Sequence, residues 1–464
     1  MKPRRPGNEE PQGELFRTEL AHLINPDHPL AKLALVVNWT RLDEVFSPLY
    51  VEEVGRPGIP TRLMVGLHYL KHIHQLSDED VVEQWVENPY WQHLCGSRYF
   101  EHKFPIHPTS MTRWRQKIAS AGVEHLLAET IAAGLETKLL KVQSLQRVVV
   151  DTTVQEKAIA YPTDGKLYDA MRRKLVRMAQ DTGIVLRQSY ARCGKRMLTA
   201  LGRSARGHHK AGIRKHTRKL KTYLGRVLRD IERKLHEEQR NEAWQQALQL
   251  AKRLLTQQRS DADKVYSVHA PDTECIAKGK PRKPYEFGHK VGIVTTAREQ
   301  FVVGALALHH RPFDGHTLAA CMDQVERMMG QPVRGEIYVD RGYKGHNYAG
   351  EAKVLIAKPK RKQEPQLRKW YGKRNGIEAM ISHMKNDGWL GRNYLKGTQG
   401  NRMNAVLAAC GQNLRKLLGW LAEHPVPKHL LAKAAALFAA LLGWLEGAKQ
   451  GSFHDGVLAY PRYA

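Results

Sequence analysis

"QRVVVDTTV" spans residues 146–154, and the character of the chain changes there. Val148 to Val150 form a β-branched run that reads as a buried strand, with Asp151 where that strand should end. Upstream, from Pro60 to about Ala133, the pattern is helical. "TRLMVGLHYLKHIHQL" (61–76) carries apolar residues at i, i+3, i+4 and i+7, and "SDEDVVEQWV" (77–86) opens a new helix with Ser77 as N-cap. "HPTSMTRWRQKI" (107–118) opens another, with Thr109 or Ser110 as cap and Arg113, Trp114, Arg115 and Lys117 in its early turns. A basic helix entered through a Thr/Ser turn suggests a helix-turn-helix-like DNA reader; a basic helical bundle is the plain alternative. His68, His72 and His74 have metal-like spacing but no nearby acid or cysteine, so they read as a polar helix face.

Downstream of Asp151 the strands resume only after a long interval. Residues 165–258 are polar and helix-forming, and from Arg192 to Arg229 there are thirteen Lys or Arg and no Asp or Glu. So one-sided a run repels itself without a counter-anion, which points to an arm that contacts nucleic acid. Strand signals follow in "DKVYSVHA" (263–270), "YEFGHKVGIVTT" (285–296), "QFVVGALAL" (300–308), "GEIYVD" (335–340) and "AKVLIAK" (352–358), with a helix at 314–329. Strand, insert, strands, helix, strands, helix describes a mixed α/β sheet carrying helices. The divisions expected are a disordered tail (1–15), a helical DNA-end-binding region (16–140), the first part of a sheet domain (141–164), a basic helical insert (165–262), the rest of the sheet domain (263–420) and a helical extension (421–464).

Bulk properties narrow the function. The 464 residues hold 74 Lys and Arg against 46 acids, a formal charge of +28. That favours a polyanionic partner. A mean hydropathy of -0.52 and the lack of a long apolar run argue against a membrane span. The N-terminus has no apolar signal region, and five scattered cysteines without a CxxC fit a reducing cytosol.

Two acids stand out by place: Asp151 and Asp340 each close a short β-branched strand, and strand ends are where ligand chemistry gathers. A third lies on the helix expected in "YGKRNGIEAMISHMKNDGWLGR" (371–392). At roughly 100° per residue, Glu378, Lys385 and Tyr371 fall at about 40°, 20° and 60° from Arg374, on one narrow stripe beside an apolar arc of Ile377, Met380, Ile381 and Met384. Surface ion pairing of Arg374 with Glu378 is the bland reading. Three converging acids would instead need cations between them, and oxygen-only ligation favours Mg²⁺ or Mn²⁺, with two ions clamping a phosphodiester. Arg374 and Lys385 would then serve as phosphate clamps. Asp314 competes for a metal role but suits a helix cap better; Lys290 could face DNA, and His289 reads as core.

The spacing Tyr371-x2-Arg374-x3-Glu378-x6-Lys385, with "VVVDTT" and "VDRGYKG" in order before it, resembles the DDE transposases of bacterial insertion sequences. "CIAKGKPRKPYEFGHKVGIVTT" and "RPFDGHTL" are similar to that family's middle segments and place the chain near the insertion-sequence-5 family, within the insertion-sequence-4/5 superfamily. The resemblance covers roughly residues 15–420. It implies an RNase-H-like core interrupted after its first strand, with Asp151, Asp340 and Glu378 as the catalytic, metal-binding triad for two Mg²⁺, replaceable by Mn²⁺. It further implies binding of terminal inverted repeats and target DNA, metal-dependent cleavage and strand transfer, assembly of at least two protomers, and a bacterial cytoplasmic, nucleoid-associated location. Tyr371, Arg374, Lys385, Lys344, Arg113 and Arg115 are the expected DNA-contacting residues. A structure-specific nuclease or a DNA-binding regulator on the same fold is the rival.

Overall fold

The structure, a computed structural model, describes residues 17–50, 58–278, 281, 283–357, 365–430 and 432. The tail expected at 1–15 and most of the C-terminal extension lie outside the described residues. Seven described helices precede the sheet: α1 (Leu20–Leu23), α2 (Pro29–Val36), α3 (Trp39–Phe46), α4 (Thr61–His74), α5 (Asp78–Glu87), α6 (Pro89–Leu94) and α7 (Thr109–Glu136). Strand β1 (Arg147–Glu156) follows, then the insert helices α8 (Asp164–Asp181), α9 (Ala191–Arg206), α10 (Lys210–Lys234) and α11 (Glu242–Thr256). Next come β2 (Glu274–Ala277), β3 (Tyr285–Thr296), β4 (Val302–Leu308), α12 (Leu318–Met329), β5 (Glu336–Val339) and β6 (Lys353–Ile356). The described elements end with α13 (Pro365–Arg374), α14 (Gly376–Asn386) and α15 (Gly397–Glu423).

The sheet is mixed, as the element order predicts. β1 lies at its centre, antiparallel to β3 on one side and parallel to β5 on the other, with β6 parallel beyond β5. The long β3 divides its outer edge: β2 pairs with its first residues and β4 with its second half. Both faces are covered, so β1 and β3 need apolar residues on both sides, and Val148, Val149, Val150, Val291, Ile293 and Val294 are fully buried. On one face Gly292 lies so close to Cys321 of α12 that no Cβ fits. On the other, Gln155 donates to Asn401 O (3.0 Å) and accepts from Asn404 Nδ2 (2.6 Å), which seats α15 on the sheet.

α15 also binds the N-terminal helices to the sheet. The buried Asn413 amide donates to Thr130 Oγ1 of α7 (3.0 Å) and to Val302 O (2.8 Å), and accepts from Val302 N (2.9 Å). A buried amide with these bonds made rigidifies the junction where one left unpaired would weaken it. The helices of 29–136 therefore share one continuous core with the sheet. The insert has its own core around Leu175, Leu224, Ile231 and Trp244.

Several local expectations are corrected. Ser77 does cap α5, in a capping box with Asp80, but neither Thr109 nor Ser110 caps α7, whose N-cap position is Pro108. α7 also bends at Ala119, where φ is 53°. His68 and His72 are buried at 0% and 3% exposure and do not form a polar face; burial, then Arg115, pushes His68 down to about 3, and its Nδ1 lies 2.7 Å from Met64 O. "DKVYSVHA" is irregular: Val265 and Val268 are drawn into the core of the insert, and Ser267 Oγ accepts from Ala270 N in a turn. β2 replaces it as the strand beside β3.

Arg115, expected at DNA, is turned inward at 5% exposure, with Nη1 2.9 Å from Asp78 Oδ1. Lys71 Nζ reaches the same oxygen at 2.6 Å. Burial alone would raise the Asp78 carboxyl, but Arg115 and Lys71 outweigh it and hold it well below the usual range. Arg115→Ala leaves a buried carboxylate with half its partners, so unfolding free energy falls by about 3 kcal/mol. Urea denaturation checks this: the midpoint drops with the slope unchanged.

Candidate active site

The parallel ladder between β1 and β5 pairs Val148 with Ile337 and Val149 with Tyr338. Carried two residues past the last pair, the same offset of 189 residues (338 minus 149) leads from Asp151 to Asp340 (340 minus 151), and the Asp340 charge acts on Asp151. The two acids therefore stand side by side where β5 gives out. β1 itself does not end at Asp151, as its sequence implies; it runs on to Glu156 against β3, so Asp151 is held by antiparallel pairing with Ile293. Regular strand on one side and a strand end on the other give the carboxylate a fixed base and an open front.

Asp340 starts a tight turn, and its Oδ1 accepts from Gly342 N at 2.8 Å. A Cβ on Gly342 would stand 3.0 Å from Asp340 Oδ1 and 3.4 Å from Asp314 Oδ2, so a third acid flanks the same glycine. The cap expected of Asp314 is not made. Its Oδ1 accepts from Thr152 Oγ1 (2.7 Å) and Lys290 Nζ (2.8 Å), and no side-chain cap bond opens its helical turn. Lys290 also donates to Pro312 O at 2.7 Å, so this cation orients Asp314 and the loop before it.

Arg374 supplies the facing charge, with Nη2 3.7 Å from Asp151 Oδ2. Its buried Nε has no hydrogen-bond partner among the described residues. Asp151 is pushed up to about 6, first by burial, with Asp340 and Asp314 adding; the Thr152 N–H and Arg374 pull the other way. A raised carboxyl means the ionised form is disfavoured in the fold, so stability from this group falls as pH rises from about 4 to about 6. Asp151→Asn should therefore stabilise the cation-free protein at pH 7.5, by on the order of 2 kcal/mol. Thermal melts read it: the variant melts higher than the parent without divalent cation and gains less on adding Mg²⁺. An unchanged or lowered midpoint would contradict this electrostatic picture.

Glu378 is exposed in the first turn of α14. The single helix expected across 371–386 is two, broken at Asn375, and the break alters the stripe. Arg374 turns to Asp151, and among the described residues Glu378 makes no ion pair, so the surface pairing of Arg374 with Glu378 is not formed. Ile377, Met380 and Met384 are buried, as their arc predicts. The structure brings Asp151, Asp340, Asp314 and Arg374 together. Asp151, Asp340 and Glu378 do not offer three oxygens all within 4.8 Å of one another.

The remaining expected residues are scattered. Tyr371 is 7% exposed and donates its hydroxyl to Ile356 O (3.2 Å), packing edge-on against Tyr338. These contacts give Tyr371, expected from sequence as a DNA contact, a packing role in the fold. Lys385 lies at the far end of α14, where burial lowers it and the charges it senses are Glu286, Lys278, Glu156 and Lys283; it does not stand beside Arg374. Lys344 and Arg113 are exposed. His289 is core, as expected. Sequence reasoning missed that Thr152 and Lys290 hold Asp314; only a register could show that their side chains share a face.

All thirteen cations between Arg192 and Arg229 are exposed, and none has a carboxylate within 4.0 Å among the described residues. The donor set near Asp151 is wholly carboxylate oxygen, Asp340 and Asp314 disfavour the charge on Asp151, and a hard divalent cation suits it. No helix among the described residues is long and apolar enough to cross a membrane.

Comparison with known proteins adds three observations. A family model described as a transposase domain (DUF772) matches residues 18–117. Another, described as a transposase DDE domain, matches residues 332–418, which include Asp340, Arg374 and Glu378. The chain is also 53% identical over 196 residues to "Uncharacterized protein ORF8 in nfe locus" of Rhizobium meliloti, a stretch covering 42% of this chain and 93% of that protein. No solved structure matches it.

Proposed function

We propose that the chain, whose two family matches indicate an insertion-sequence transposase with a DDE domain, binds the terminal inverted repeats of an element of the insertion-sequence-5 type, cleaves the DNA there and joins the freed end to target DNA. The observation that carries this reading is the nearness of Asp340 and Asp314 to Asp151 just past the β1–β5 ladder, with Arg374 facing Asp151. A sheet whose central strand has an antiparallel neighbour on one side and two parallel strands on the other supports an RNase-H-like core.

In this proposal Asp151 in β1, Asp340 just past β5 and Glu378 on the exposed side of α14 would hold the divalent metal. Two Mg²⁺, with Mn²⁺ as substitute, would supply Lewis acidity to the attacking and leaving oxygens. Asp314, anchored by Thr152 and Lys290, positions the Gly342 turn that carries Asp340. Arg374 pairs with Asp151 until a phosphate with greater charge draws it away, and its free Nε leaves a second donor for that phosphate. The exposed cations of α9 and α10 track the DNA backbone beyond the cleaved bond. Two DNA ends require at least two protomers.

Purified protein with Mg²⁺, a labelled element end and a supercoiled target tests this. Transposition predicts both nicked ends and joined products; cutting without any joining would leave a structure-specific nuclease, and binding without cutting would leave a DNA-binding regulator.

A further inference from the structure

A second group of ligand-bearing side chains converges away from the acids. Glu274 at the start of β2, His289 in β3 and His309 just past β4 each offer an atom, and these atoms all lie within 4.8 Å of one another. Register explains why they meet. β2 accompanies β3 up to the pair Glu274–Gly288, and β4 takes over from the pair Lys290–Leu308. His289 therefore sits at the seam where the outer edge of β3 passes from one partner strand to the other.

His289 is 0% exposed, yet its Nδ1 has no hydrogen-bond partner, and the buried Nε2 of His309 has none either, among the described residues. Buried polar nitrogens left open at one spot call for an occupant. The two rings meet edge to face at 4.8 Å between centroids. Their carboxylate neighbour is held in place: Glu274 accepts from His310 N (2.7 Å) and Arg311 N (3.1 Å), in a turn where both residues have positive φ (65° and 49°). A carboxylate with two such bonds keeps lone pairs for an ion. On its other edge His289 Nε2 lies 3.8 Å from Asp272 Oδ2 and 3.3 Å from Asn401 Nδ2, the kind of outer partner that orients a metal-bound imidazole.

We propose that Glu274, His289 and His309 form a binding site for a borderline divalent transition ion of the Zn²⁺ class, separate from the carboxylate cluster at Asp151. Two imidazoles and one carboxylate suit Zn²⁺ and its neighbours and disfavour Mg²⁺. Burial lowers both histidines, His289 to about 4 with His309 assisting, so both rings are neutral with free lone pairs at pH 7. Around an ion with bonds of ~2.0–2.1 Å, ligand atoms stand roughly 3.3 Å apart, a contraction that small side-chain rotations supply. The ion fastens β2 to the end of β4. Arg311 also donates to Ala262 O (3.0 Å) and Cys275 O (3.3 Å), so the clip also fixes where the basic insert rejoins the sheet.

The test is Co²⁺ and Zn²⁺ titration of untagged full-length protein after chelator treatment. With Mg²⁺ in excess to fill the carboxylate cluster, the expected result is one Co²⁺ per chain with a visible d–d absorption band, displaced by Zn²⁺, and a raised melting temperature. His309→Ala should weaken binding at least about 100-fold, whereas Asp151→Asn should leave it intact. Circular dichroism verifies the fold of each variant; if His309→Ala is unfolded, Glu274→Gln is read in its place, with the same loss expected. Absence of the Co²⁺ band in the parent, its persistence in the folded variant, or its loss in Asp151→Asn would each overturn the site.

Discussion

Replacing Asp151, Asp340 or Glu378 with Ala is expected to slow cleavage of a labelled element end by about 10³-fold or more, while end binding changes little. The effect is large because each carboxylate holds charge that is useful only when the phosphodiester reacts, so its loss falls on the chemical step. Binding is spared because these acids repel DNA when no cation is present. Asp314→Asn sharpens the assignment. Its carboxylate is already committed to Thr152 and Lys290, so it acts by placing the Asp340 turn, and its replacement should cost only about 10–100-fold. Quantitative cleavage rates at saturating Mg²⁺ separate the two classes. If Asp314→Asn were as damaging as Asp151→Ala, Asp314 would be a metal ligand itself and Glu378 the lesser partner.

Neutralising the insert comes second. Arg203 and Arg206 of α9 and Lys210, Arg214, Lys215 and Arg218 of α10 are exposed, within a run free of acidic partners among the described residues. Changing all six to Gln should lower affinity for the element end by about 10³-fold near 0.1 M salt. That figure assumes three of the six meet phosphate, each contributing about 0.9 to the salt slope. The insert folds around its own apolar core and none of these side chains enters it, so the melting temperature should hold. Binding measured across a salt series decides the matter: the slope should fall by about 3, and an unchanged slope would remove the insert from the DNA path.

Much of this architecture was legible because it rests on short-range pattern. The valine run before Asp151, the strand signal in 285–296 and the Ser77 cap are each written in a short local stretch, and a strand, a strand and a capped helix form there. Asp340 was legible as a strand end for the same reason, since a β-branched run precedes it and a turn follows, but the strand end read at Asp151 was not formed, because pairing with β3 carries β1 on to Glu156. What failed depended on tertiary context. Arg115 looked like a DNA contact because its local surroundings are basic, but Asp78, 37 residues earlier, claims it. Tyr371 kept its place on the wheel, yet the break at Asn375 separated it from Glu378 and a strand carbonyl captured its hydroxyl. "DKVYSVHA" has strand composition, but its valines had a nearer apolar surface in the insert. His309 carries no signal in sequence at all; only the seam between β2 and β4 brings it to His289.

The central claim is that carboxylates from β1, the end of β5 and α14 share divalent metal over a DNA phosphate. Crystals of the protein bound to its cleaved element end, soaked in Mn²⁺, test it by anomalous scattering. The account predicts a peak bridging the Asp151 and Asp340 oxygens, with Glu378 drawn in to a peak beside the scissile phosphate. Anomalous density confined to other sites, with Asp151 still paired to Arg374 and Glu378 still facing solvent, would contradict it.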